Sequence, residues 1–127
     1  MYNYNASHKV VLVIIVVIWA VVHFSQRDDE GLYYDNGQIK RTGEIVNYLN
    51  EGEWIWYYQN GSIHIKGVFI HGKREGVWVR YNKKGKIISK TTYRNDMLNG
   101  LCVEYNALGV EIKRQIYIND KLKKPDR

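Results

Sequence analysis

The sequence predicts an all-β repeat array of about four 24-residue β-hairpins in an extended antiparallel sheet, preceded by one N-terminal transmembrane helix. The main observation is that the chain superposes on itself, without insertions, when Gly52 is aligned with Gly76 and Gly76 with Gly100. In addition, aromatic and β-branched segments flank Asn-Gly pairs, which favour tight hairpin turns. Tyrosine is also abundant, with 11 in 127 residues, whereas proline occurs once. Such a composition favours sheet over helix or disorder.

The repeat is defined by columns of identical residues at one fixed spacing. A fixed period of this length indicates an array of stacked units, each of which is marginal alone. The predicted units span residues 31–51, 52–75, 76–99 and 100–122, and the first lacks the beginning of its first strand. The columns that define them are Tyr33, Tyr57, Tyr81 and Tyr105; Gly37, Gly61, Gly85 and Gly109; and Gly52, Gly76 and Gly100.

An apolar run precedes the repeats and is interpreted as a membrane anchor over residues 10–25. Its 13 uninterrupted apolar residues, from Val10 to Val22, are too many for an ordinary strand and few for a complete membrane crossing. A cleaved secretory signal and a buried segment of the fold are the alternatives. Residues 1–9 form a short polar tail, residues 26–30 a charged linker, residues 31–122 the repeat domain and residues 123–127 a basic tail.

Each repeat is predicted to be one hairpin, with strands at residues 54–58 and 63–70 in the second unit. Asn60 and Gly61 are expected to provide the two positive-φ positions of a two-residue turn. The glycine is retained in all four units, because glycine takes positive φ without a steric penalty. Residues 71–76 are polar and glycine-bounded, so we expect a loop that returns the chain to the next hairpin.

Alternation along the strands predicts two different faces of the sheet. One face carries Ile55 and Tyr57 and their repeat equivalents, and is apolar in the three complete units. The opposite face is more variable and carries aromatic residues and arginine, which favour protein interfaces. We expect a partner to contact this second face, whereas the alternative is that its tryptophans pack the array. The predicted contact residues are Trp54, Trp56, Trp78 and Arg80.

Charge is distributed unevenly along the chain. Residues 1–70 contain five Lys and Arg against seven Asp and Glu, a net charge of −2, whereas residues 71–127 contain fourteen against six, a net charge of +8. Lys83, Lys84 and Lys86 cluster at a predicted turn and could contact an anionic surface. The alternative is a solvated sheet edge protected by lysine. No RNA-binding consensus occurs, so no nucleic-acid partner is expected.

The sequence shows no arrangement typical of an active site. No repeat column collects histidine or carboxylate, as a metal centre or an acid–base pair would require. The single cysteine, Cys102, replaces Trp54 and Trp78 in their column and is interpreted as a packing residue. We therefore expect a protein that is not an enzyme, with no catalytic residue, metal, cofactor or small-molecule substrate.

The repeat columns resemble the MORN-repeat variant of bacterial proteins, including YwqK-family antitoxins. The resemblance rests on Gly52, Trp54, Tyr57, Gly61 and Ile63, and on the same pattern in the next unit, which begins at Gly76. It covers about residues 31–122, although Cys102 departs from the tryptophan position. It implies an extended sheet of successive hairpins with a binding role and implies no catalytic residues.

Two functions of different classes follow from these observations. The first is a single-pass membrane protein whose repeats, outside the cytoplasm, bind an unidentified protein as a scaffold module. The second, implied by the resemblance, is an antitoxin or immunity protein that neutralises a toxin by direct binding. A basic second half that binds anionic lipid is a further alternative.

Overall fold

The computed structural model describes residues 4–27 and 31–124 and divides the chain into two compact units, one reaching to Tyr33 and the other beginning at Tyr34. Parts of the predicted polar tail, charged linker and basic tail, namely residues 1–3, 28–30 and 125–127, lie outside the described residues.

The described residues of the first unit form the helix α1, Tyr4–Arg27, which includes the predicted membrane anchor. Its 13 uninterrupted apolar residues rise about 20 Å, against a hydrocarbon core of about 30 Å. Within the part of the chain that the structure describes, no helix has the length and hydropathy of a membrane span. The predicted transmembrane helix is therefore not found.

The second unit is an open antiparallel sheet in which each strand pairs with its neighbours in sequence. This arrangement confirms the predicted array of successive hairpins. The strands are β1 Arg41–Val46, β2 Leu49–Tyr57, β3 Ile63–Ile70, β4 Lys73–Tyr81, β5 Ile87–Arg94, β6 Met97–Tyr105, β7 Glu111–Ile118 and β8 Lys121–Leu122.

The tight turns lie at the opposite ends of the strands from those that the sequence predicts. The expected loop over residues 71–76 is wrong, because β3 and β4 are joined by His71 and Gly72 alone. Both residues have positive φ, 49° and 77°, as a two-residue primed turn requires. The same geometry recurs at Asn47-Tyr48, Asn95-Asp96 and Asn119-Asp120. Asn and Asp tolerate this conformation better than most residues, which explains the column.

The connection that contains Asn60 and Gly61 is a five-residue loop, residues 58–62, so the predicted two-residue turn here is wrong. Gly61 takes a φ of 83° and its amide donates to the Tyr58 carbonyl at 2.9 Å. The Asn60 Oδ1 instead accepts hydrogen bonds from the Ser62 amide and hydroxyl, at 3.1 and 2.7 Å. Asparagine is favoured here by its side-chain acceptor. The positive φ predicted for glycine is confirmed at Gly37, Gly61, Gly85 and Gly109, with values of 81°, 83°, 78° and 82°.

The second glycine column marks a bulge within each of β2, β4 and β6. Pairing of β3 with β4 passes from Lys66 opposite Val79 to Val68 opposite Glu75, so three residues of β4 oppose one of β3. Gly76 lies in this bulge with a φ of 70°, and Gly52 and Gly100 have positive φ at the equivalent positions. Such bulges bend a strand and increase its twist.

Tyr48 offers a test of the turn geometry. It has a φ of 63° and is fully exposed, at the position that glycine occupies in the next unit. Tyr48→Gly removes a left-handed strain of about 1–2 kcal/mol but increases the entropy of the unfolded chain. We expect the free energy of unfolding, measured in urea, to rise by about 0.5–1 kcal/mol.

Tyr48→Ala is the matched control, because it removes the same exposed ring and keeps the strained conformation. We expect its free energy of unfolding to stay within about 0.5 kcal/mol of the parent value. Equal stabilisation by both substitutions would show that the ring, and not the backbone, is responsible.

Candidate binding surface

The face of the sheet that carries Trp54, Trp56, Trp78 and Arg80, here called the tryptophan face, contains a continuous aromatic cluster. Trp56 is central, with ring centroids 5.7 Å from Trp54 and 5.6 Å from Trp78. Phe69 of β3 meets Trp78 edge-on at 5.0 Å, and Trp78 in turn meets Tyr93 of β5 at 6.1 Å. Edge-on and tilted aromatic pairs of this kind stabilise a sheet beyond the area that they bury.

Two of the tryptophans interlock with glycines on the preceding odd-numbered strand. A Cβ atom added to Gly43 would lie 2.1 Å from the Trp54 ring, and one added to Gly67 would lie 2.2 Å from the Trp78 ring. Each indole also donates a hydrogen bond near the bulge, Trp54 to the Glu44 carbonyl at 3.1 Å and Trp78 to the Val68 carbonyl at 3.3 Å. The indoles therefore lean across the sheet in one direction, over a strand that has no side chain in their path.

The four predicted contact residues differ in how far they are buried by these contacts. Trp54 is only 5% exposed and its ring packs on Gly43, so it belongs to the core of the sheet, and its contact with a partner stays a prediction. Trp56 and Trp78 are half-buried, and Arg80 is exposed. The four residues therefore differ in exposure, although the sequence pattern does not distinguish them.

A hollow of about 290 Å³ opens on the tryptophan face beside Trp78. Its walls include Trp78 and Tyr93, and Ser89 and Thr91 of β5 line it from the adjacent strand. Arg80 lies at this hollow, and Ser89 is only 9% exposed. Two of the four predicted contact residues, Trp78 and Arg80, are brought together here.

A second arginine, Arg74, also lines the hollow and is held in place by its neighbours. Its guanidinium lies 4.0 Å from the centroid of the Tyr93 ring and its Nε donates to the carboxylate of Asp96. This hydrogen bond lowers the pKa of Asp96 below its ordinary value. Arg74 is thus already paired, whereas Arg80 has no ion-pair partner among the described residues.

The opposite face, here called the tyrosine face, carries the half-buried Tyr57, Tyr81 and Tyr105. The sequence predicts that this face is apolar, and Val103, at 3% exposed, is its most buried residue. In the register of the sheet, however, Lys66, Lys90 and Arg114 alternate with Ile55, Val79 and Val103. Adjacent to this row, the sheet exposes Val68, Ile70, Val77, Leu101, Ile116 and Ile118.

The three lysines predicted to meet an anionic surface lie in or beside the loop between β4 and β5. The Asn82 Oδ1 accepts hydrogen bonds from the amides of Lys84 and Lys86, at 2.9 and 3.0 Å. The Lys86 ammonium donates to the Ala107 carbonyl of the next loop at 3.3 Å, and the Lys83 carbonyl accepts from Asn60 at 3.2 Å. The Lys83 carbonyl and the Lys86 ammonium link neighbouring loops, and the contact of the three lysines with an anionic surface stays a prediction.

Within the described part of the chain, the titratable residues are not clustered as metal binding requires. In residues 4–27 and 31–124, no three His, Cys, Asp or Glu side chains are placed to hold a metal ion. His64 stacks on Tyr58 with a centroid distance of 4.3 Å. Partial burial, and to a lesser extent the charge of Arg80, lower the pKa of His64 below its ordinary value. The structure thus places His64 in a ring contact within the sheet.

Comparison with known protein families gave matches for two of the repeats. Residues 50–71 and 74–95 both match the model of the MORN repeat variant, and the offset between the two matches equals the period of the sheet. Searches of curated proteins and of solved structures gave no match. The narrower resemblance to YwqK-family antitoxins, and a bacterial origin, stay predictions. Two units of the chain thus match the MORN repeat variant, a type of repeat that generally serves as a protein- or lipid-binding module.

Proposed function

We propose that the repeat sheet is a non-catalytic module that binds a protein partner through the part of the tryptophan face around Trp78 and Arg80. The observation that carries this proposal is the hollow beside Trp78, which places an aromatic wall next to an exposed guanidinium without an ion-pair partner among the described residues. Aromatic residues and arginine are enriched at the energetically dominant positions of protein interfaces.

The packing of the sheet supports the same assignment. Trp54 and Trp56 lie beside Trp78 in one cluster, so the ring that borders the hollow is held rigidly before any partner arrives. A preorganised surface loses less side-chain entropy on binding. The fixed cluster therefore serves as a support, and the residues at its border provide the contacts.

The proposal is tested by photo-crosslinking in cells that express the full chain. A benzophenone amino acid replaces Glu104, which is exposed and lies opposite Ser89 in the sheet register. The matched control replaces the exposed Lys90, which neighbours Ser89 in sequence but lies on the tyrosine face. We expect one dominant protein adduct from position 104, and its loss when Arg80→Glu is added.

Crosslinking from position 90 alone would place the partner on the tyrosine face and overturn the proposal. Adducts from position 104 that persist with Arg80→Glu would show that the guanidinium contributes nothing. The expectations that the module is anchored at a membrane, that its repeats lie outside the cytoplasm and that its partner is a toxin stay predictions.

A further inference from the structure

The hollow on the tryptophan face lies where the repeat would place a third indole. Trp54 covers Gly43, and Trp78, at the equivalent position of the next unit, covers Gly67. One unit further on, Cys102 occupies the tryptophan position and pairs with Thr91, which occupies the glycine position. The short Cys102 side chain cannot extend over β5 as an indole would, so the surface around Ser89 and Thr91 stays open.

The walls of this hollow include aromatic and aliphatic side chains, like those of the aromatic cluster beside it. Trp78 and Tyr93 present ring surfaces, and Ile65 adds an aliphatic contact. A volume of about 290 Å³ is at the lower limit of small-molecule pockets, which suits one side chain better than a larger ligand. The cavity therefore fits a single planar ring that continues the row of indoles.

Two polar groups at the hollow lack partners in the described part of the chain. The Ser89 side chain makes no hydrogen bond with any described residue, although Ser89 is only 9% exposed. Arg80 makes no ion pair there, whereas Glu104, the nearest carboxylate in the register, is paired with Lys113 at 3.4 Å. An accessible hydroxyl without a hydrogen bond and an exposed guanidinium on one hollow are complementary to a polar ring atom and to a negative charge.

We propose, on the basis of the function proposed above, that this hollow takes an indole or phenol side chain of the protein partner, with a carboxylate of the partner bound to Arg80. The partner's ring lies against Trp78 and Tyr93 in the hollow, and its N–H or O–H bonds to the Ser89 hydroxyl. The partner thus completes the row of rings that Cys102 interrupts. The recognised element is an aromatic residue within an acidic segment.

The test uses indole-3-acetate, which combines the ring with a carboxylate, and follows the ¹⁵N-labelled full chain by NMR. We expect saturable shifts of the Ser89, Thr91 and Tyr93 amides and of the Trp78 indole N–H, with a dissociation constant in the millimolar range. Tryptamine has the same ring with a positive charge, and we expect it to bind at least tenfold more weakly. Arg80→Gln is expected to weaken indole-3-acetate about fivefold and to leave tryptamine unaffected or slightly improved.

A second variant fills the hollow from within. Cys102→Trp restores the third indole, and Thr91→Gly provides the space that Gly67 gives to Trp78. We expect the double variant C102W/T91G to keep the spectrum of the folded sheet and to lose indole-3-acetate binding at least tenfold. Binding that is retained by the folded double variant, equal binding of tryptamine, or shifts confined to the tyrosine face would each overturn the proposal.

The two proposals fail separately. Crosslinking from position 104 without indole-3-acetate binding would leave the protein-binding function and remove the aromatic occupant. Saturable indole-3-acetate binding without any protein adduct would establish the ring site and contradict the protein-binding module.

Discussion

Gly67→Ala is expected to lower the free energy of unfolding by about 3 kcal/mol or more, which is large for the addition of one methyl group. The new Cβ would lie 2.2 Å from the Trp78 ring, where no real contact is tolerated. The ring cannot retreat easily, because it packs on Phe69 and Tyr93 and donates a hydrogen bond to the Val68 carbonyl. The change is measured by urea denaturation of the full chain, followed by tryptophan fluorescence.

Two controls separate this steric conflict from the general cost of removing a glycine. Gly31→Ala adds the same methyl group where no atom lies within 4 Å, and we expect a change within about 0.5 kcal/mol. In the double variant G67A/W78A the conflict is absent, so the two effects should be non-additive by about 1–3 kcal/mol. Additive effects would show that Trp78 does not pack on Gly67.

Trp54→Ala is expected to lower the free energy of unfolding by about 3–5 kcal/mol. Trp54 and Val103 are the two hydrophobic residues of the described part of the chain that are fully part of the core, and Trp54 also donates to the Glu44 carbonyl. A domain is typically stable by about 5–15 kcal/mol, so this loss could unfold a large fraction of the molecules. Urea denaturation, followed by circular dichroism, measures the effect.

The matched control is Leu108→Ala, which truncates an apolar side chain that is 84% exposed. We expect a change within about 0.5 kcal/mol. If Trp54→Ala instead left stability unchanged and removed the photo-crosslinked adduct, Trp54 would be a partner contact, as the sequence pattern suggests. The experiment therefore decides between the two interpretations of the tryptophan column.

The fold was predictable because its strongest signals are local and repeated. The period of the repeat and the positive φ of the Gly61 column follow from residues within one unit. The location of the tight turn was missed because Asn60-Gly61 has the composition of a primed turn but serves a five-residue loop. The sequence signal for the tight turn is the column of Asn47, His71, Asn95 and Asn119. In the structure, each of these residues and the residue that follows it have positive φ.

The binding surface was only partly predictable, because its form depends on contacts between strands. Trp54 and Trp78 look equivalent along the chain, yet one is buried and the other borders an open hollow. The difference comes from the next unit, where Cys102 does not cover Thr91. The position of the open surface can be inferred by comparing the column of Gly43 and Gly67 with the tryptophan column. This inference requires that the strand pairing is known.

The sequence by itself determined the repeat, its period and the type of secondary structure, because glycine, asparagine and alternating apolar residues act over a few positions of the backbone. Only the tertiary structure decided which tryptophan is core, that Arg74 but not Arg80 is ion-paired among the described residues, and where the surface is open. Those properties depend on the strands of successive units lying side by side. There the Trp54 and Trp78 indoles extend from the bulges over the glycines of the neighbouring strands. Packing between repeats, and not the pattern within one, therefore makes the candidate site.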